Sequence, residues 1–304
     1  MTALPWRISL AALAVCLLVS SLLWTATAES PRPLPPAPPL CVSAEDCFRS
    51  AIAINERSGT ASQRDQALML KKDQLRAVID LFPATIWAKR SAVALGVLLA
   101  ERDPAESATL LRLAQPDLPV LDDYFRLWIA ESLLKQNEPI QAAELLETIP
   151  KLVPDSNLVA KAAYRTGESW YSGNVCARAV EWLERAVALA EKDTAAPLAL
   201  WHQADCHIRE NRLPEARTVL KQLWMRYPQS PEAKDAKVRL DTALGGESWV
   251  PTADDHAIRA QAFLGLSMQA EAVEELRRFL TMAPGHPRRF DARLKLGVAY
   301  VRLK

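Results

Sequence analysis

The sequence predicts an all-α protein, an α-solenoid of antiparallel helix hairpins, on three observations. A small residue is followed twelve positions later by an alanine at Gly96/Ala108, Ala130/Ala142, Gly167/Ala179, Ala204/Ala216 and Ala260/Ala272. Apolar residues around these pairs keep helical spacing, as Ala179, Leu183 and Ala186 do with Val180 and Val187 alongside. Strands have little to be built from, because the chain has only nine glycines and no β-branched residues in alternating runs.

The N-terminus sets the compartment. Arg7 is the only charge before Glu29, Ile8 to Trp24 is almost wholly apolar, and Thr25 to Ala28 supplies small residues. This is the pattern of a signal peptide over residues 1–28, with cleavage after Ala28, and it makes the protein exported and periplasmic. An uncleaved N-terminal membrane anchor is the rival reading, since an apolar run of about 17 residues sits at the lower limit for spanning a bilayer. Cys16 follows Leu13-Ala14-Val15, a poor lipidation site because Val15 is bulky and the apolar run continues past it. Residues 29–42 form a linker in which Pro31 to Leu40 carries six prolines in ten residues, an extended polyproline II spacer. Removing Arg7 with the signal peptide leaves 36 basic against 36 acidic side chains. A neutral chain has no electrostatic footprint for nucleic acid.

Residues 43–228 then read as helical repeats. Ser43–Arg57 and Ser62–Leu81 form a first, less regular hairpin. From there the small residue advances by 34, 37, 37 and 56 positions. The first three steps lie in the range of helix–turn–helix repeats, and the fold expected is a tetratricopeptide-like (TPR-like) solenoid. Small residues belong where paired helices cross most closely, since bulk would part them. Turns between paired helices carry breakers at Asp103-Pro104, Asn137-Glu138-Pro139 and Ser172-Gly173-Asn174. The 56-residue step holds an extra helix and loop over residues 229–251, the helix running Pro231–Leu244 behind an N-cap at Ser230. Residues 252–304 resume the repeats, with a capping box of Thr252 and Asp255. Helix A of a sixth repeat, roughly Arg288–Leu303, is expected without its helix B, which leaves Leu294, Leu296, Val298 and Val301 partly uncovered. A longer chain or a partner covering this helix are both open here, the former favoured.

Four cysteines remain after cleavage, and an even count in an oxidising compartment points to disulfides. Cys176 opens one helix and Cys206 lies late in the next, so the pair can meet; Cys41 and Cys47 flank the start of the first helix and can close a small loop there. Free thiols are the alternative for each pair. His202 and Cys206 share a helix face, but a zinc site needs more ligands, and His207 points elsewhere. His202 reads as a helix-surface histidine. Asp254-Asp255-His256 reads as a helix start in which acids favour the N-terminal dipole. Glu131-Ser132, Glu168-Ser169 and Glu247-Ser248 lack a nearby base or glycine-rich context, and no metalloprotease, nucleophile-elbow or phosphate-loop motif occurs. No catalytic, cofactor or metal residue is assigned. Trp87, Trp128, Trp170, Trp201 and Trp224 are assigned to inter-helix packing.

Several stretches bear on function. Arg102-Asp103-Pro104 through Leu121-Asp122-Asp123-Tyr124-Phe125-Arg126-Leu127-Trp128, with Ala163-Tyr164-Arg165, Ala204-Asp205-Cys206, Pro251 to Leu264 and Ala272-Val273-Glu274-Glu275-Leu276, resembles the N-terminal helical region of soluble lytic murein transglycosylases. The resemblance spans about residues 44–304 and implies a curved periplasmic scaffold that positions peptidoglycan. In that family the chemistry resides in a C-terminal lysozyme-like domain with a glutamate–serine pair and a later Gly-Leu-Met-Gln stretch, and nothing in this chain matches it. The chain itself is therefore expected to be a non-catalytic scaffold for peptidoglycan, or a stand-alone envelope adaptor binding a protein or peptide.

Overall fold

The computed structural model describes residues 42–190, 194–242 and 248–303. The expected signal peptide, all but the last residue of the linker, Cys16, Cys41 and Glu247 lie outside them. Among the described residues the chain is built of α-helices and two short 3₁₀ turns, with no strand.

Helices α1 (Ala44–Ala53) and α2 (Ala61–Leu81) form the first hairpin. The A and B helices of the repeats follow as α3 (Ile86–Leu99) with α4 (Pro104–Ala114), and α5 (Asp122–Lys135) with α6 (Pro139–Leu146) and its short extension α7 (Ile149–Leu152). Then come α8 (Val159–Ser172) with α9 (Cys176–Leu189), and α10 (Ala196–Arg209) with α11 (Leu213–Arg226). The extra helix is α12 (Pro231–Thr242); α13 (Ala253–Gly265) pairs with α14 (Gln269–Met282), and α15 (Arg289–Arg302) ends the described chain. From α1 to α12 neighbouring helices pack in chain order, α13 packs back on α11 and on α14, and α10 also touches α8 and α12, the adjacency of a solenoid.

Local chemistry starts and stops these helices. Ser43, Thr60, Thr85, Asp103 and Thr252 accept from a backbone N–H three residues on, with reciprocal capping boxes at Thr60/Gln63 and Thr252/Asp255. Helix α1 stops at Ala53 rather than at Arg57, because the Asn55 side chain accepts from the Arg57 N–H at 3.0 Å and turns the chain there. Four A-to-B turns share one device. Asn137, Asn174, Asn211 and Ser267 sit in the left-handed region at φ 61°, 58°, 57° and 59°. The next N–H reaches back five residues, as from Glu138 to Leu133 and from Val175 to Trp170, both 2.9 Å. This closes a Schellman motif that satisfies the last carbonyls of helix A.

Both small positions of each hairpin are buried, but they do not simply face each other. A Cβ on Gly96 would meet the Leu111 side chain at 2.8 Å and the Ser107 carbonyl at 3.3 Å. One on Gly167 would meet Leu183 side-chain atoms at 2.6 Å and its backbone N at 3.0 Å. The glycine thus seats a leucine one turn beyond the partner alanine, while Ala108, Ala142, Ala179, Ala216 and Ala272 let the backbones close.

The core of α3 to α12 lies in two large clusters, one centred on Phe125, Ile129 and Leu146 and one on Trp182, Leu183, Leu200 and Leu223. A separate small cluster of Ala257, Ala260, Leu276, Phe279 and Ala292 holds α13–α15 together. The division falls where the extra helix interrupts the stack: α12 and α13 both pack on α11. The joint is aromatic and polar. Trp249 meets Trp224 edge-on at 5.0 Å, and Arg259 lies 3.9 Å over Trp224 while donating to its carbonyl at 2.7 Å.

The glycine positions yield a contrast. Gly167→Ala should lower unfolding free energy by roughly 1–2 kcal/mol despite its better helix propensity, because Leu183 backbone must move. Gly297, around which a Cβ would meet nothing within 4 Å, should accept alanine with a gain of roughly 0.5–1 kcal/mol. Parallel urea melts of the two variants check both signs.

Candidate functional site

One surface of the solenoid is made by the A helices alone, where α5, α8, α10 and α12 bring a polar and aromatic ladder together. In α5, α8 and α10 the residue after the small position is a carboxylate: Glu131, Glu168 and Asp205. Each accepts from a neighbouring repeat. Glu131 of α5 takes Lys161 at 3.3 Å and Arg165 at 3.8 Å from α8. Glu168 of α8 takes Nδ1 of His202 from α10 at 2.6 Å. Asp205 of α10 accepts from Tyr171 of α8 at 2.9 Å and from Arg239 of α12 at 3.2 Å, and forms an ion pair with Arg209 of its own helix at 2.7 Å.

The aromatic groups are tied into the same ladder. Tyr171 stacks on His202 with centroids 4.0 Å apart, and its hydroxyl accepts from Arg209 at 2.8 Å. The Arg239 guanidinium lies 4.1 Å over Trp201. Burial alone would raise the Asp205 carboxyl, but the hydrogen bonds from Tyr171 and Arg239 and the nearby arginine charges hold it below its ordinary value. Burial and the hydrogen bond to Asp205 push the Tyr171 phenol up. The carboxylates are recessed, with Asp205 side chain 16% exposed against 41% for Arg209. Lys161 and Arg209 are the more exposed members, while Tyr171 and Trp201 are partly buried against the core and covered by His202 and Arg239. Beside the ladder, a cleft of about 260 Å³ opens between α8 and α10, floored by alanines and rimmed by Lys161, Tyr164 and Arg165.

The residues singled out from the sequence fall as follows. Cys176 and Cys206 are joined, with Cα atoms 5.1 Å apart, where the start of α9 meets the end of α10. Cys47 lies in α1; its candidate partner Cys41 is outside the described residues. His202 is a member of the ladder rather than a lone surface histidine. His207 is buried, its Nδ1 without a partner, and burial and the Arg212 charge depress its imidazole. Ser132 and Ser169 are buried and donate to carbonyls four residues back, at 3.0 and 2.6 Å, which leaves neither poised as a nucleophile. Asp255 serves the capping box, and His256 faces Glu275 of α14 at 2.5 Å. Among the described residues no group of three or more His, Cys, Asp or Glu side chains is placed to hold a metal. Of the tryptophans, Trp170 and Trp224 are core, as are Trp182 and Trp249, which the sequence reading passed over. Trp201 packs beneath Arg239 on the ladder and is only partly buried.

Comparison with known proteins agrees with this architecture. Residues 177–240 match the tetratricopeptide repeat family model. No curated protein matches the chain. Among solved structures it is similar to a tetratricopeptide repeat protein from Parabacteroides merdae, with TM-score 0.50, 14% identity, and 84% of this chain and 98% of that one covered. It is likewise similar to the apo form of RapI, with TM-score 0.50, 11% identity, and 85% and 97% covered. The fold is a TPR-like α-solenoid.

Two measurements follow. The chain should carry the Cys176–Cys206 bond when purified without reductant, read by peptide mapping, and Cys176→Ser should cost roughly 3.5 kcal/mol, as expected for a loop closed over a separation of 30 residues. The depressed His207 imidazole means that the unfolded chain takes up a proton first as pH falls below 6.5. Native stability attributable to this residue is therefore lost below that pH, and His207→Gln should flatten the decline in Tm measured between neutral pH and about pH 5.

Proposed function

We propose that this chain is a non-catalytic TPR-type scaffold of the cell envelope that holds a protein or peptide partner against its A-helix face. The observation that carries the reading is the ladder itself. Its carboxylates are spent on neighbouring repeats, while Arg209 is exposed and Arg239, Tyr171 and Trp201 are partly exposed beside it. Aromatic and arginine side chains are the groups that dominate binding energy when a partner desolvates them. A helix-lined surface of this sort suits an extended segment or a helix. Nothing in it offers a nucleophile with a base, so binding rather than turnover is its chemistry.

A second reading rests on the stretches that resemble the helical region of soluble lytic murein transglycosylases, Arg102 to Pro104 and Leu121 to Trp128 above all. In it the ligand is peptidoglycan and the chemistry belongs to a further domain. Reading the coding sequence past codon 304 separates the two, since only the second requires a lysozyme-like module there. Export belongs to both readings, and a mature N-terminus at Glu29 in the periplasmic fraction is its test.

The ladder variants test the main proposal. In capture of envelope peptides by the purified chain, Trp201→Ala with Arg239→Glu should weaken binding at least tenfold, about 1.4 kcal/mol or more. Glu144→Ala, an exposed change on α6 away from the ladder, should leave binding unchanged. Equal binding by both variants would remove the A-helix face from the function.

A further inference from the structure

The Cys176–Cys206 bond crosses from one hairpin to another: Cys176 opens α9, the B helix of one repeat, and Cys206 lies in α10, the A helix of the next. These two helices run antiparallel, and the chain connects them at the opposite end, between Leu189 and Ala196. Toward that connection the buried apolar residues include the longer Leu183, Val187 and Leu200. Toward the bond they are short, Ala179, Val180 and Ala204 with the two sulfurs. Short side chains bury little apolar area. The bond thus closes the end of the pair that apolar packing secures least.

The same end is where the ladder is tied between repeats. Cys206 directly follows Asp205, and Cys176 follows the turn at Gly173 and Asn174 that ends α8. Tyr171 donates to Asp205 at 2.9 Å and accepts from Arg209 at 2.8 Å, and the Asn174 side-chain oxygen accepts from Arg209 at 3.2 Å. The turn is fixed to α8, since the Val175 N–H returns to the Trp170 carbonyl at 2.9 Å. A shift of Cys176 is therefore carried to Asn174 and Tyr171, and a shift of Cys206 to Asp205 and Arg209. These contacts reach from α8 to α10, which are not successive helices, and α9 sets the spacing between them. Hydrogen bonds near 3 Å do not survive a shift of about an ångström. The rung between α5 and α8, which the bond does not span, is the longer one: Glu131 stands 3.3 Å from Lys161 and 3.8 Å from Arg165.

We propose that the Cys176–Cys206 bond is the positioning device of the ladder, so that the partner surface is assembled only in an oxidised chain. The bond forms when the two thiols give up two protons and two electrons to a disulfide-bearing oxidant, which is itself reduced to a dithiol. Both sulfurs are buried in the folded chain. Thiol–disulfide exchange needs access to a sulfur, so the bond made during folding persists afterwards. The inference rests on the binding reading above and adds the condition under which that surface exists.

The test compares the oxidised parent with two unbridged forms: Cys176→Ala with Cys206→Ala, and the parent refolded in excess dithiol. The second form keeps the sequence unchanged and carries the test if the alanine pair does not fold. Leu111→Ala, in the other large core cluster, supplies a chain of lowered stability with the bond intact. The first readout needs no partner. It is the titration of Tyr171 followed by NMR on isotope-labelled tyrosines, with Tyr171→Phe assigning the signal. In the oxidised parent and in Leu111→Ala, burial and the Asp205 hydrogen bond should hold the Tyr171 phenol above its ordinary value. In the unbridged forms its midpoint should fall back toward that value. The second readout is capture of envelope peptides, which the unbridged forms should bind about tenfold more weakly. An unmoved Tyr171 midpoint in the unbridged forms overturns the proposal whatever the peptides do. So does an equal fall in Leu111→Ala, because general loosening would then set the ladder. A midpoint that moves while no peptide binds even the oxidised parent sinks the binding reading and leaves the positioning role standing.

Discussion

Everything in this molecule depends on how closely two helices approach within one hairpin. The glycines of α3 and α8 admit the leucines of α4 and α9 to within van der Waals contact of the backbone. That approach is what sets the residue after the glycine on the outer A-helix surface, in register with the next repeat. A methyl group at either glycine would displace the leucine and shift the facing surfaces together. Packing inside the hairpin and chemistry on the surface are thus the same geometrical fact seen from two sides.

The ladder shows how a repeat fold turns sequence periodicity into a surface. One position after the small residue is acidic in three successive repeats, and cations and aromatics 34 residues away answer it. Each contact is modest, since partly exposed ion pairs contribute little singly. Their combined effect is positional: carboxylates pin the arginines and tyrosine so that few rotamers are lost when a partner arrives. A surface of this kind gains selectivity from preorganisation more than from depth.

Much of the fold was legible from residues alone. The twelve-residue spacing located the hairpins, Thr252 and Asp255 marked the start of α13, and the apolar stripe of α15 was visible at Leu294, Val298 and Val301, though Leu296 turns inward and Phe290 outward. The ladder was not read, although its signal was present: Glu131 and Glu168 drew notice for the serines that follow them, not for standing one residue past Ala130 and Gly167. Their partners lie a full repeat away, so no local pattern within one helix reveals them. Trp249 and Arg259 escaped for a different reason, because the joint they build depends on α12 and α13 sharing α11, which spacing cannot show. His207 was placed by helix angle alone, and angle does not report that α11 lies over it.

The split of the apolar core at α12 has one more consequence. Two sites on a protein influence each other only if binding at one changes the relative energies of states that the other distinguishes. Tyr171 and Trp201 of the ladder pack on the cluster that reaches α12, whereas α15 packs in the separate cluster of α13–α15. Between them stands a joint of edge-on rings and a guanidinium. With no apolar cluster shared across it among the described residues, a change of packing in α13–α15 has to cross this joint to reach the ladder.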